Sequence, residues 1–201
     1  QAGRPEEAVE VLRRFSGAHP DDPRPLIERA ALLRHLYRDE EALEVLGRAV
    51  AASPRDAALR VQLGDELMAA FRFDEAERLL RDALAIERDR SDAYIKLALL
   101  LEHTNREQEV PMLSREAERA GADKGAIRLI GAMICWREQR LEEGLDLLQQ
   151  VPEDIEPIRR AQLEGQFRDR LGDAEGAFAA FTEMNRLFKL DPSQPEARGQ
   201  A

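Results

Sequence analysis

A short block recurs along this chain at a fixed spacing, and that spacing constrains the fold more than any other feature. Glu6-Glu7-Ala8-Val9-Glu10-Val11-Leu12 returns as Glu40-Glu41-Ala42-Leu43-Glu44-Val45-Leu46 and again as Asp74-Glu75-Ala76-Glu77-Arg78-Leu79-Leu80. Weaker copies begin at Gln108, Glu142 and Glu175. The compact residue in each block falls at Ala8, Ala42, Ala76, Val110, Gly144 and Ala177, in steps of 34, 34, 34, 34 and 33. A second column runs in phase with it: Ala30, Gly64, Ala98, Ala132 and Gly165, in steps of 34, 34, 34 and 33. A period of this length means stacked supersecondary units, none of which can bury its apolar face alone.

The units are helical. Arg, Glu, Ala and Leu dominate a chain that is 43% hydrophobic and 35% charged, with only two threonines, which favours helix over sheet. Two small residues per repeat, about a dozen positions apart, let two helix backbones approach closely. Polar turns such as Tyr37-Arg38-Asp39 and Thr104-Asn105-Arg106 separate the helices within a repeat. Pro20-Asp21-Asp22-Pro23 and Ser53-Pro54-Arg55-Asp56 separate one repeat from the next, where proline stops a helix and a polar residue caps its successor. The expectation is an all-α chain forming a single solenoid over residues 1–190. It opens with the second helix of a partial repeat at 5–18. Full repeats follow at 23–56, 57–90, 91–124, 125–157 and 158–190, and 191–201 reads as a truncated C-terminal segment.

The period and pattern resemble tetratricopeptide repeats. Leu63-Gly64, Tyr94 with Leu97-Ala98, the Asp74-Glu75-Ala76 anchor, and Ala49 and Ala83 before turns carry the resemblance. Departures fall in the third and fourth full repeats. No proline separates repeats near Arg88 or Ala122, and Ser114 stands where Leu12, Leu46 and Leu80 stand elsewhere. Pro111 lies in a helical first turn, where its missing N–H costs nothing. The resemblance implies a right-handed superhelix whose first helices line a concave groove for a peptide or helix of a partner protein.

Stepping by one repeat along that surface selects Ile27, Val61, Ile95 and Leu129; one turn on come Leu99 and Met133, and then Trp136. These seven are the candidate partner-binding residues. An exposed apolar strip marks a binding site, and the only tryptophan is the natural anchor of one. The competing reading is burial, because the stretch from Ile127 to Trp136 is apolar on nearly every side. One known use of the family is a Lys/Asn clamp on a terminal carboxylate. The corresponding places hold Ile27, Ala31, Gln62 and Asp92, and only Lys96 fits.

Catalytic chemistry finds little support. His35 and His103 fall at equivalent places two repeats apart, too far to share a zinc ion. Cys135 lies in the apolar helix and reads as an inert thiol. No Gly-x-x-x-x-Gly-Lys loop is present. No catalytic residue, cofactor or metal is therefore expected. A net charge of −10 argues against nucleic acid and anionic membrane as partners. No apolar run is long enough to span a bilayer and no leader is evident, so the expected location is cytoplasmic.

The stretch from Arg168 to Leu187 is similar to the last repeat of bacterial proteins that join tetratricopeptide repeats to a sulfotransferase domain. By that resemblance the chain is the recognition or docking arm of such an enzyme, with the catalytic domain beyond Ala201. A start on Gln1 fits an excised piece, and exposed solenoid ends make self-association a further possibility.

Overall fold

A computed structural model describes residues 5–190, and among them every regular element is helical. In chain order the helices are α1 (Pro5–Ala18), α2 (Arg24–His35), α3 (Asp39–Ala52), α4 (Ala57–Ala69), α5 (Phe73–Ile86), α6 (Ser91–His103), α7 (Val110–Ala120), α8 (Lys124–Arg137), α9 (Leu141–Gln149), α10 (Pro157–Arg170) and α11 (Ala174–Leu190). A 3₁₀ turn, Glu107–Glu109, leads into α7. The chain divides into two compact units, residues 1–87 carrying α1–α5 and residues 88–201 carrying α6–α11. The segment 191–201, read from sequence as truncated, lies outside the described residues.

Within each unit the repeating element is a helix pair closed by one kind of turn. The second residue after each first helix adopts a left-handed backbone: Tyr37, Phe71, Asn105, Gln139 and Gly172, with φ of 58°, 59°, 55°, 58° and 82°. The following N–H groups, of Arg38, Arg72, Arg106, Arg140 and Asp173, return to the carbonyls of Leu33, Leu67, Leu101, Cys135 and Arg168. This is the Schellman closure, which satisfies carbonyls that a helix end would otherwise leave bare. Four arginines then clamp the start of the next element. Arg38, Arg72 and Arg106 form two-pronged bonds to Glu41, Glu75 and Glu109. Arg140 divides its bonds between Glu143 and Glu138. The guanidinium groups hold the Glu41 and Glu75 carboxyls below the usual carboxylate range. In the last pair Asp173 replaces arginine, accepting from the Gly176 N–H at 2.9 Å and from Arg168 at 2.7 Å.

The small-residue columns sit where helices cross. Ala42, Ala76, Ala30, Ala98 and Ala132 are buried. Glycine is required at position 144, since a Cβ there would lie 2.2 Å from Cζ of Phe167, which is fully buried. Ala8 departs from its column and is exposed. Its helix packs against α2, and among the described residues no helix covers the face that bears Ala8.

Where the sequence lacks an inter-repeat proline, other contacts set the links. The Tyr94 hydroxyl donates to the Arg88 carbonyl at 3.0 Å, and the Asp123 N–H donates to the Ser91 hydroxyl at 2.7 Å. Gly121 takes a left-handed φ of 81° at the end of α7, and Asp123 caps α8 through the Gly125 and Ala126 N–H groups.

Candidate functional site

The seven candidate residues fall in both units. In the first, Ile27 on α2 is half-buried and Val61 on α4 is buried. In the second, Ile95 and Leu99 lie on α6, and Leu129, Met133 and Trp136 on α8. Leu129 has no exposed surface, Ile95 and Met133 are nearly as well covered, and Leu99 and Trp136 are half-buried.

The burial of α8 has a physical cause. Helices α6 and α10 both pack on α8, and side chains of α6 reach those of α10 and of Glu156, the residue that precedes it. Lys96 Nζ lies 2.8 Å from a carboxylate oxygen of Glu156, and the Arg159 guanidinium bonds both oxygens of Glu102, one at 2.6 Å. Arg159 also donates to Gln162 at 2.9 Å. These pairs are themselves mostly shielded from water, and charge-assisted bonds of this kind are stronger than neutral ones. Lys96, the single residue that fitted a carboxylate clamp, is thus engaged by Glu156.

Trp136 remains reachable. Its ring stands edge-on to Phe167, with centroids 5.4 Å apart and planes at 86°, and the Arg170 guanidinium lies 5.9 Å from its centre. Edge-to-face packing fixes one side of the indole, and a cation over the ring face adds a further attraction. Together with Met133, Trp136 lines a cleft of about 190 Å³ whose polar edge is Glu102, Glu107 and Arg137. A small apolar pocket with charges of both signs at its mouth can seat one apolar side chain of a peptide and orient its backbone.

Cys135 is a buried free thiol, and desolvation pushes its pKa up, which keeps it protonated and unreactive. His19 stacks on Phe15 with ring centroids 4.4 Å apart, and His35 and His103 are exposed. Among the described residues no three His, Cys, Asp or Glu side chains are grouped to hold a metal ion, and no helix is long and apolar enough to cross a membrane. The stretch quoted for the sulfotransferase resemblance forms the end of α10, the Gly172 turn and α11. Arg168 there bonds Glu164 and Asp173, contacts internal to a helix-turn-helix.

A repeating helix pair with one recurring turn geometry defines the class, a helical-repeat protein. Residues 37–100 match the family model described as tetratricopeptide repeat, so this part of the chain consists of such repeats. No curated protein matches the sequence. Solved structures share the fold. That of pilF from Pseudomonas aeruginosa aligns over 99% of this chain and 91% of its own, at 19% identity and a TM-score of 0.64. The APC/C hetero-tetramer Cut9–Hcn1 aligns over 91% of this chain at 9% identity and a TM-score of 0.70, and the chain spans 37% of its length. YrrB, described as a TPR protein with an unusual peptide-binding site, aligns over 88% of this chain and 91% of its own, at 19% identity and a TM-score of 0.54.

Proposed function

We propose that the protein is a non-catalytic scaffold that binds a peptide or helix of a partner protein, with the Trp136 cleft as the anchor point in residues 88–190. The observation that carries this reading is a half-buried indole, braced by Phe167 on one edge, beside a small apolar cleft with charged groups at its mouth. Met133 forms a covered wall of the cleft, Leu99 is a half-buried apolar residue on α6, and Ile95 and Leu129 hold the helices together. Ile27 and Val61 play the corresponding part in residues 5–87. The peptide-binding site named for YrrB supports the class of ligand.

The single tryptophan makes the test direct. Peptides selected from a random displayed library against the whole chain are expected to shift Trp136 emission on binding. Trp136→Ala is expected to weaken them about thirtyfold, the size of an interface hot spot, with helicity unchanged by circular dichroism. Trp136→Phe, which keeps a ring against Phe167, separates loss of the anchor from loss of packing. Peptides that bind both variants as tightly as the wild type would overturn the assignment.

A further inference from the structure

We propose that a second groove, on the other helices of the repeat in residues 5–87, docks a cationic amphipathic helix of another protein. Helices α3 and α5 form the walls of a cleft of about 660 Å³, and Leu63 and Leu67 of α4 form its floor. Leu43 and Leu79 add apolar surface from the two walls. The Arg72–Glu40 pair, at 3.7 Å, ties the walls together at one end.

Gly47 shapes this cleft. It stands in the middle of α3, where glycine destabilises a helix relative to alanine. Packing does not require it, because a Cβ there would meet nothing within 4 Å. Positions one repeat before, one after and two after hold Arg13, Arg81 and Arg115. Arg13 bonds Glu10 at 2.7 Å, and Glu44 is the repeat equivalent of Glu10. Arg14 bonds Glu10 as well, at 3.0 Å, and among the described residues its repeat equivalent Arg48 makes no ion pair with Glu44. Glycine at 47 therefore lowers the α3 wall and removes one of the two cations that hold the carboxylate in the equivalent place.

Charge completes the description of the ligand. Among the described residues neither Glu44 on α3 nor Asp82 on α5 has an ion-pair partner, and both line the cleft. Neither lies in the first turn of its helix, where the helix dipole would favour a carboxylate. The cleft is also lined by Glu40, Glu41 and Glu75 and by the cations Arg72 and Arg78, so acidic groups outnumber basic ones even with Arg78 present. An apolar floor with unpaired carboxylates on both walls matches a helix with leucines on one face and arginine or lysine on both flanks. Such a helix restores the missing cation and fills the room that Gly47 leaves.

The test uses the whole chain and two labelled synthetic 18-residue helices, each with leucine at every third or fourth position, one flanked by arginines and the other by glutamates. Fluorescence anisotropy is expected to show binding of the arginine helix and none of the glutamate helix. Gly47→Arg, which restores the residue of the equivalent positions, is expected to weaken binding roughly tenfold or more, and Glu44→Arg with Asp82→Arg to abolish it. Gly47→Ala is expected to bind as the wild type does, and Trp136→Ala likewise, which separates this site from the one proposed above. Circular dichroism checks that each variant folds. The proposal fails if neither helix binds, if both bind equally, or if Gly47→Arg binds unchanged. It also fails if sedimentation shows a wild-type dimer that Gly47→Arg makes monomeric, since the occupant is then a second copy of this chain.

Discussion

In residues 88–190, α6 joins α10 through Glu102–Arg159 and the residue before α10 through Lys96–Glu156, and both helices pack on α8. In residues 5–87, α3 and α5 stand apart over Leu63 and Leu67, joined at one end by Arg72 and Glu40. Both regions are built from the same helix pair and the same turn. The surfaces differ in place, since α6 and α10 are first helices two repeats apart and α3 and α5 are second helices of adjacent repeats, and they differ in the side chains that the period leaves free to vary. Long arginine and lysine side chains close one surface over apolar residues, and a glycine leaves another open. A helical repeat fixes where surfaces fall, and individual substitutions decide which of them a ligand can enter.

The largest expected effect tests how strongly the closed region depends on its packing. Phe167→Ala removes a fully buried ring that presses on Gly144 and meets Trp136 edge-on. It is expected to cost about 3–5 kcal/mol in urea denaturation. Hydrogen exchange should show protection lost in α8–α10 and retained in α2–α5, and uniform loss would erase the distinction between the two regions.

A smaller effect is expected from opening the closed surface itself. Arg159→Ala leaves Glu102 without the guanidinium nitrogen that both its oxygens share, at about 2 kcal/mol for a hydrogen bond to a charged group. The sharper readout is chemical. Met133 is covered in the wild type, whereas Met112 on α7 is exposed. Peroxide should oxidise Met112 equally in both proteins and Met133 faster in the variant. Equal Met133 rates would mean that the ion pairs do not shield α8.

Much of this architecture was legible in the sequence because it repeats. The columns through Ala42 and Ala30 mark helix crossings, and the prolines and capping aspartates mark links between repeats. Exposure was not legible. Leu129 and Met133 occupy positions that the period assigns to a lined groove, yet whether they are open depends on how far α6 stands from α10. That distance follows from the pitch of the stack and from the reach of Arg159 toward Glu102, 57 residues away, and no local pattern encodes it. Ala8 shows the converse case, a residue of the right type that no neighbouring helix among the described residues covers. The turn column was visible but easily missed: of Tyr37, Phe71, Asn105, Gln139 and Gly172, only Asn105 and Gly172 are residue types that favour a left-handed backbone.

That column supplies the last test, one in which the two regions should answer with opposite sign. Phe71 is 80% exposed and holds φ at 59°, so its side chain contributes little packing while its Cβ resists the backbone. Phe71→Asn keeps a side chain in the unfolded state, so the gain is not spent on glycine's extra freedom, and it should stabilise the protein by about 1 kcal/mol. Asn105 occupies the same place one repeat on, in the other region, with φ at 55°. Asn105→Ala should lose a similar amount, since alanine cannot relieve the left-handed strain with a local hydrogen bond. Thermal denaturation of the two variants reads both changes. If Phe71→Asn gains nothing, the Phe71–Phe73 edge contact, with centroids 6.1 Å apart, offsets the strain, and the turn at 71 is held by packing where the turn at 105 is held by residue type.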